Sequence, residues 1–145
     1  MESSRVELEI TVCGTVAFPF GYGLSYTTFD YSDLKISDPK SKPGRPVTVS
    51  VDIRNSGKRK GDEIVQLYVS DIKASVDRPT KELKGFARIS LEPGQKKTVN
   101  FELKDDAFAY YSVEKHDFVV EPGQFEILIG SSSRDIKLKK ILEKI

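Results

Sequence analysis

The sequence predicts an all-β fold, an antiparallel β-sandwich of about seven short strands. Two observations carry this reading. Apolar residues recur at every second position in run after run, which is the spacing of strands with one buried face. Turn residues, chiefly Pro-Gly pairs, separate the runs at nearly regular intervals. Helical spacing is scarce, so a parallel α/β arrangement lacks the crossover helices it would need.

The first strand is expected over Phe29 to Ile36, and Pro43-Gly44 separates it from the next. Val47, Val49, Val51 and Ile53 then alternate with Thr48, Ser50, Asp52 and Arg54 up to the turn Asn55-Ser56-Gly57. After Gly61-Asp62, Val65, Leu67 and Val69 share one face while Ile64, Gln66 and Tyr68 take the other, and these two runs are expected to pair as an antiparallel hairpin. Residues 71–82 are polar and contain Pro79, the composition of a long loop. Strand pairing resumes near Leu83. Phe86, Ile89 and Leu91 lead to Pro93-Gly94, with Val99, Phe101 and Leu103 beyond it, which reads as a second hairpin. Pro122-Gly123 repeats the device between Phe118, Val120 and Phe125, Ile127, Ile129. Asp105 to Ala109 suits a single helical turn with Asp105 as its cap. Leu138, Ile141, Leu142 and Ile145 fit helical spacing, whereas Ile136, Leu138 and Leu142 fit a strand; a strand through about Leu138 is expected, because a sandwich needs its last edge. The whole pattern is that of an immunoglobulin-like sandwich.

Composition narrows the function. With 23 basic and 22 acidic residues, the net charge of +1 steers the chain toward neither nucleic acid nor an anionic membrane. Lys58-Arg59-Lys60 follows a turn and reads as solvated. A single cysteine, Cys13, excludes an intramolecular disulfide and a zinc site built on cysteines. No window holds the ~18 apolar residues of a membrane helix, and Met1-Glu2-Ser3-Ser4 lacks the basic-then-apolar order of a signal peptide. A cytoplasmic location is therefore expected for the chain as given, and a secreted or periplasmic parent is compatible with it. No cofactor, nucleic acid or membrane partner is expected.

Candidate chemistry is thin. His116, the only histidine, sits in an apparent turn, and no Gly-x-Ser-x-Gly supplies a nucleophilic serine. Asp30 with Asp33 and Asp105 with Asp106 are the near acidic pairs, without EF-hand spacing. Gly21-Tyr22-Gly23 lacks the third glycine of a phosphate loop. Glu63, Glu82, Glu102, Glu121 and Glu126 read as solvated surface residues rather than acid or base catalysts. Tryptophan is absent, which leaves Tyr68, Tyr110 and Tyr111 as the rings on which a glycan would stack, against the plainer reading of tyrosines packed at a sheet edge.

Several segments together carry a resemblance. They are Phe18-Pro19-Phe20-Gly21-Tyr22-Gly23-Leu24-Ser25-Tyr26-Thr27-Thr28-Phe29, Gly61-Asp62-Glu63-Ile64-Val65-Gln66-Leu67-Tyr68-Val69, Arg78-Pro79-Thr80-Lys81-Glu82-Leu83-Lys84-Gly85-Phe86, Glu121-Pro122-Gly123-Gln124-Phe125 and Gly130-Ser131-Ser132-Ser133-Arg134-Asp135-Ile136. In this order they resemble the fibronectin type III-like C-terminal domain of glycoside hydrolase family 3, the β-glucosidases and β-xylosidases. The resemblance implies a non-catalytic accessory domain whose partners are the catalytic domains of such an enzyme. It places the nucleophile and the acid/base residue in those domains, so no residue here inherits either role. It divides the chain into residues 1–17 outside the family pattern, an extended linker over 18–28 and the sandwich over 29–145. Ten extended residues reach ~33 Å, enough to cross a neighbouring domain. Phe18, Phe20, Tyr22 and Tyr26 in the linker, and Arg78, Lys81 and Glu82 in the long loop, are the expected interdomain contacts. Val6, Leu8, Ile10 and Val12 alternate and suit an extra edge strand, or a homodimer formed by pairing that strand with its copy. A carbohydrate-binding module and a free-standing self-associating domain are the alternatives.

Overall fold

The computed structural model describes residues 27–73 and 81–145. Seven long strands build it: β1 (Phe29–Ile36), β3 (Val47–Asn55), β4 (Gly61–Asp71), β5 (Glu82–Leu91), β6 (Lys96–Leu103), β9 (Gly123–Gly130) and β10 (Ile136–Lys144). Three short ones, β2 (Lys40–Ser41), β7 (Tyr110–Ser112) and β8 (Asp117–Val119), complete the set. Sheet one has the order β1-β3-β6, and sheet two the order β2-β10-β9-β4-β5, antiparallel except where β2 runs parallel to β10. The strands β7 and β8 pair only with each other, as a ribbon.

The two sheets stack because each presents one apolar face. Val47, Val49, Val51 and Ile53 of β3, fully buried, share the core with Val65, Leu67 and Val69 of β4, Phe125, Ile127 and Ile129 of β9 and Leu142 of β10. Burial of each such side chain is worth ~1.5–3 kcal/mol. Phe108 closes one end, edge-on to Phe125 with ring centroids 5.0 Å apart.

All the expected hairpins are corrected. β3 and β4 do not pair; the chain crosses from sheet one to sheet two between them, so their apolar faces meet across the core. Asn55, fully buried, fixes that corner: its Nδ2 donates to the carbonyls of Arg59 at 2.7 Å and Leu91 at 3.0 Å, and its Oδ1 accepts from Thr27 Oγ1 at 2.7 Å and from the Gly57 N–H at 3.0 Å. Pro93-Gly94 carries β5 back to β6 in the other sheet, with Gly94 at φ 78° donating its N–H to the Asn55 carbonyl at 2.8 Å. Pro122-Gly123 joins the ribbon to β9, again without pairing across the turn. A period of two marks a strand with one buried face, and it is blind to whether the next strand lies beside it or opposite it.

Two smaller expectations also change. The helical turn is a 3₁₀ turn over Asp105–Ala107, preceded by Lys104 with no side-chain cap, and Asp105 turns its carboxylate elsewhere. β10 continues to Lys144 rather than stopping near Leu138, because Leu142 and Lys144 are needed inside. The sandwich therefore has two distinct poles. The Asn55 pole holds Thr27, the start of β1 and Pro93-Gly94. The Lys144 pole gathers Ser41, Gly44, the 3₁₀ turn and the ends of β4, β6 and β10.

Candidate docking surface

Lys144 organises its pole from inside. Its ammonium is nearly excluded from solvent, donates to Asp105 Oδ1 at 2.8 Å and Ser41 Oγ at 3.1 Å, and lies 5.0 Å from the centroid of Phe108. Asp105 Oδ2 accepts the Gly44 N–H at 2.6 Å. Burial works against the charged form of Asp105, but the bonds from Lys144 and Gly44 and the charge of Lys144 outweigh it and hold the carboxyl below its usual range.

Lys81 and Glu82 stand at the same pole, where β5 begins opposite the end of β4. Lys81 Nζ lies 5.9 Å from the Tyr68 ring centroid, and Lys84 Nζ lies 3.8 Å from Glu82 Oε1. Phe18, Phe20, Tyr22, Tyr26 and Arg78 lie outside the described residues, as does the alternating run from Val6 to Val12.

The expected glycan rings separate into three situations. Tyr68 is corrected from a surface ring to a buried one, 3% exposed. Its hydroxyl donates to Gln66 Oε1, whose amide donates to the Ser131 carbonyl at 3.2 Å, and burial pushes the phenol up to about 12. Tyr110 is half-buried and donates to Glu121 Oε1 at 3.0 Å. Tyr111 is exposed on the ribbon beside Phe118, the ring centroids 5.4 Å apart and the planes at 75°. That edge-to-face geometry keeps the two rings from forming one shared flat surface.

The carboxylates are mostly engaged in structure. Asp62 takes a bond from Ser90 and one from Arg88 at 2.6 Å, and Asp52 accepts from Thr98 at 2.6 Å beside Lys96 at 3.1 Å; these hydrogen bonds hold both acids below their usual range. Glu63 departs from its expected place on a solvated face. It is half-buried, burial lifts its carboxyl above the usual range, and Tyr31 donates to it at 3.1 Å. The signal was present in the sequence, since Glu63 has the same parity as Val65 and Leu67 and so faces inward. Burial and Glu63 together push the Tyr31 phenol upward.

His116 occupies the ribbon tip at φ 51°, exposed, as its turn context suggested. Among the described residues no three His, Cys, Asp or Glu side chains converge as a metal site. A shallow depression between β5 and the 3₁₀ turn is lined by Lys84, Glu102, Lys104 and Asp106, whose charges alternate in sign and favour no single class of ligand. No described helix is long and apolar enough to cross a membrane.

Comparison with known proteins adds a family. Residues 63–133 match the fibronectin type III-like domain. The chain is 55% identical over 123 residues to thermostable β-glucosidase B of Acetivibrio thermocellus, which aligns with 85% of this chain and 16% of that protein. It is 46% identical over 121 residues to the periplasmic β-glucosidase of Salmonella typhimurium, covering 83% of this chain and 16% of that one. It superposes on the β-D-glucoside glucohydrolase of Trichoderma reesei with a TM-score of 0.86 at 36% identity, covering 96% of this chain and 22% of that structure. The chain thus spans about a sixth of the length of the curated relatives it matches.

Proposed function

Because the chain belongs to the fibronectin type III-like domains of family 3 β-glucosidases, we propose that it is the non-catalytic accessory domain of such an enzyme, packing on the catalytic domains and stabilising their arrangement. The observation that carries this reading is the mismatch of coverage: most of this chain aligns with about a sixth of each curated relative, which leaves the bulk of the enzyme to hold the sugar chemistry. The acids support it. Glycoside hydrolysis needs two carboxyl groups facing each other across a scissile bond. Here Asp52, Asp62, Asp105 and Asp135 are tied to lysine, arginine or hydroxyl partners, and Glu63 is capped by Tyr31.

Residues 29–145 form the packing body, residues 18–28 the connection to the catalytic part, and residues 1–17 lie beyond the family pattern. Lys81 and Glu82, which stand at the Lys144 pole, are polar contacts with the catalytic part, and Arg78 is assigned the same role. The domain takes the compartment of its parent.

The test is a β-glucosidase of this kind cut just before the domain. The cut enzyme should lose heat resistance and recover part of it when the separately produced chain is added, while the chain alone hydrolyses neither aryl glucosides nor xylosides. Turnover by the chain that survives purification and vanishes when one of its own carboxylates is changed would overturn the proposal.

A further inference from the structure

The ribbon of β7 and β8 turns its apolar face to water. Successive side chains of a strand fall on opposite faces, and in an antiparallel pair the face away from the core is ordinarily the polar one. Tyr110 and Val119, cross-strand partners, are half-buried on the near side, with Tyr110 held by Glu121 Oε1 at 3.0 Å. Tyr111 and Phe118, the next pair, take the far side, and Val113 stands two residues beyond Tyr111 at the same parity. These three side chains are 52%, 70% and 75% exposed in the same order. Neither sheet pairs with the ribbon, and a two-stranded ribbon alone in water is marginally stable at best. An exposed apolar cluster on such an element marks a surface that another protein covers.

We propose that the face formed by Tyr111, Val113 and Phe118 is a docking surface for the catalytic part of the parent enzyme, which receives it in an apolar hollow. The proposal rests on the accessory role and adds the surface through which that role is exercised. Two observations select this occupant. The chain aligns with only 16% of each curated relative described above, so a body several times larger stands beside this domain in those enzymes. The ribbon also leaves the sandwich at the Lys144 pole, after the 3₁₀ turn that follows β6 and before β9, whose first residue Gly123 pairs with Lys144. That is the pole of Lys81 and Glu82, so the apolar face continues the polar contacts assigned to the catalytic part. Its rim fits a protein partner as well. Glu114, Lys115, His116 and Asp117 at the ribbon tip are exposed and carry both signs of charge, which suits the mixed surface of a protein better than an anionic lipid or nucleic acid.

The β-glucosidase cut just before its domain provides the test. The unchanged chain should bind the cut enzyme in calorimetry and restore its heat resistance. Val113→Ser with Phe118→Ser should weaken that binding about thirtyfold or more and remove the rescue. The variant chain alone should melt within ~2 °C of the unchanged one, because exposed side chains contribute little to the isolated fold. Binding and rescue undiminished in the variant overturn the docking surface and leave the accessory role standing, whereas neither binding nor rescue by the unchanged chain overturns both. If the variant melts early, proximity decides instead. A chain with Cys13→Ser and Val113→Cys, labelled with benzophenone at its one cysteine, should cross-link to the cut enzyme, and the same label at Thr48→Cys, on the outer face of sheet one, should not. No cross-link from position 113, one equally strong from position 48, or one formed only with a second copy of the chain refutes the docking surface.

Discussion

Removing Asp105 should damage the sandwich more than removing Lys144, although the two are partners. Asp105→Ala leaves an ammonium that is 3% exposed with only Ser41 Oγ and the face of Phe108, and an orphaned buried charge costs ~3–5 kcal/mol. Lys144→Met leaves a carboxylate that is 33% exposed and still accepts the Gly44 N–H, so its cost is that of a lost partner in a half-wet site, ~1–2 kcal/mol. The thioether fills the lysine stem's volume beside Phe108. The double variant lacks both charges and should cost ~2–3 kcal/mol, less than the sum of ~4–7 kcal/mol, which gives a coupling of ~1–5 kcal/mol. For a chain of 145 residues, 1 kcal/mol shifts Tm by ~3 °C, so the aspartate variant should melt ~9–15 °C lower. Urea titrations of the four proteins at neutral pH measure the cycle. An Asp105→Ala cost below ~1 kcal/mol, or costs that add within ~0.5 kcal/mol, would refute the reasoning.

Acid should unfold the domain as pH falls through and below the ordinary aspartate value of 3.8, because Asp52, Asp62, Asp105 and Asp135 all have depressed folded values and contribute stability only while ionised; a Tm-against-pH profile shows it. Glu63 has the opposite sign: its raised folded value makes its charge a penalty above the ordinary 4.5, so Glu63→Gln, which keeps an acceptor for Tyr31, should raise Tm at pH 7 and change nothing at pH 3.5. Gly130→Ala would place a Cβ 2.3 Å from the Asp135 carbonyl oxygen, and the backbone shift it forces should cost ~1–3 kcal/mol in a denaturant melt. Calorimetry with cello- and xylo-oligosaccharides should give no heat of binding, and Tyr111→Ala should leave Tm within ~2 °C, since the exposed ring makes its main contact with Phe118; a saturable heat abolished by that change would instead establish a glycan module.

Strand positions were legible because burial on one face writes itself as alternation. Phe29–Ile36 and the run from Val47 lie where the sequence placed them. Sheet membership was not legible, since β3 and β4 look alike whether they pair or oppose, and what separates them is the buried Asn55, a single residue whose four bonds span Thr27 to Leu91. The turn Pro93-Gly94 announced a reversal without saying into which sheet. Polar residues are judged by type, and type misleads at Glu63, read as solvated by nature although it falls on the inward parity of its strand; the inward parity of Lys144 on β10 is a signal that the reading by type passes over. Tyr68 belongs to the outer face, as its parity says, yet facing outward and being exposed are different properties, and its ring is buried.

The placement of the first and last long strands bears on mechanics. β1 starts at the Asn55 pole and β10 ends at the Lys144 pole, so tension drawn between Phe29 and Lys144 runs along the strands. The β1–β3 and β9–β10 hydrogen bonds lie across that line and would share the load in shear, all at once, instead of opening one rung at a time. The Asn55 corner and the Lys144–Asp105 pair sit at the two points where such a load enters, which makes the sandwich a stiff tension member between whatever its two ends hold.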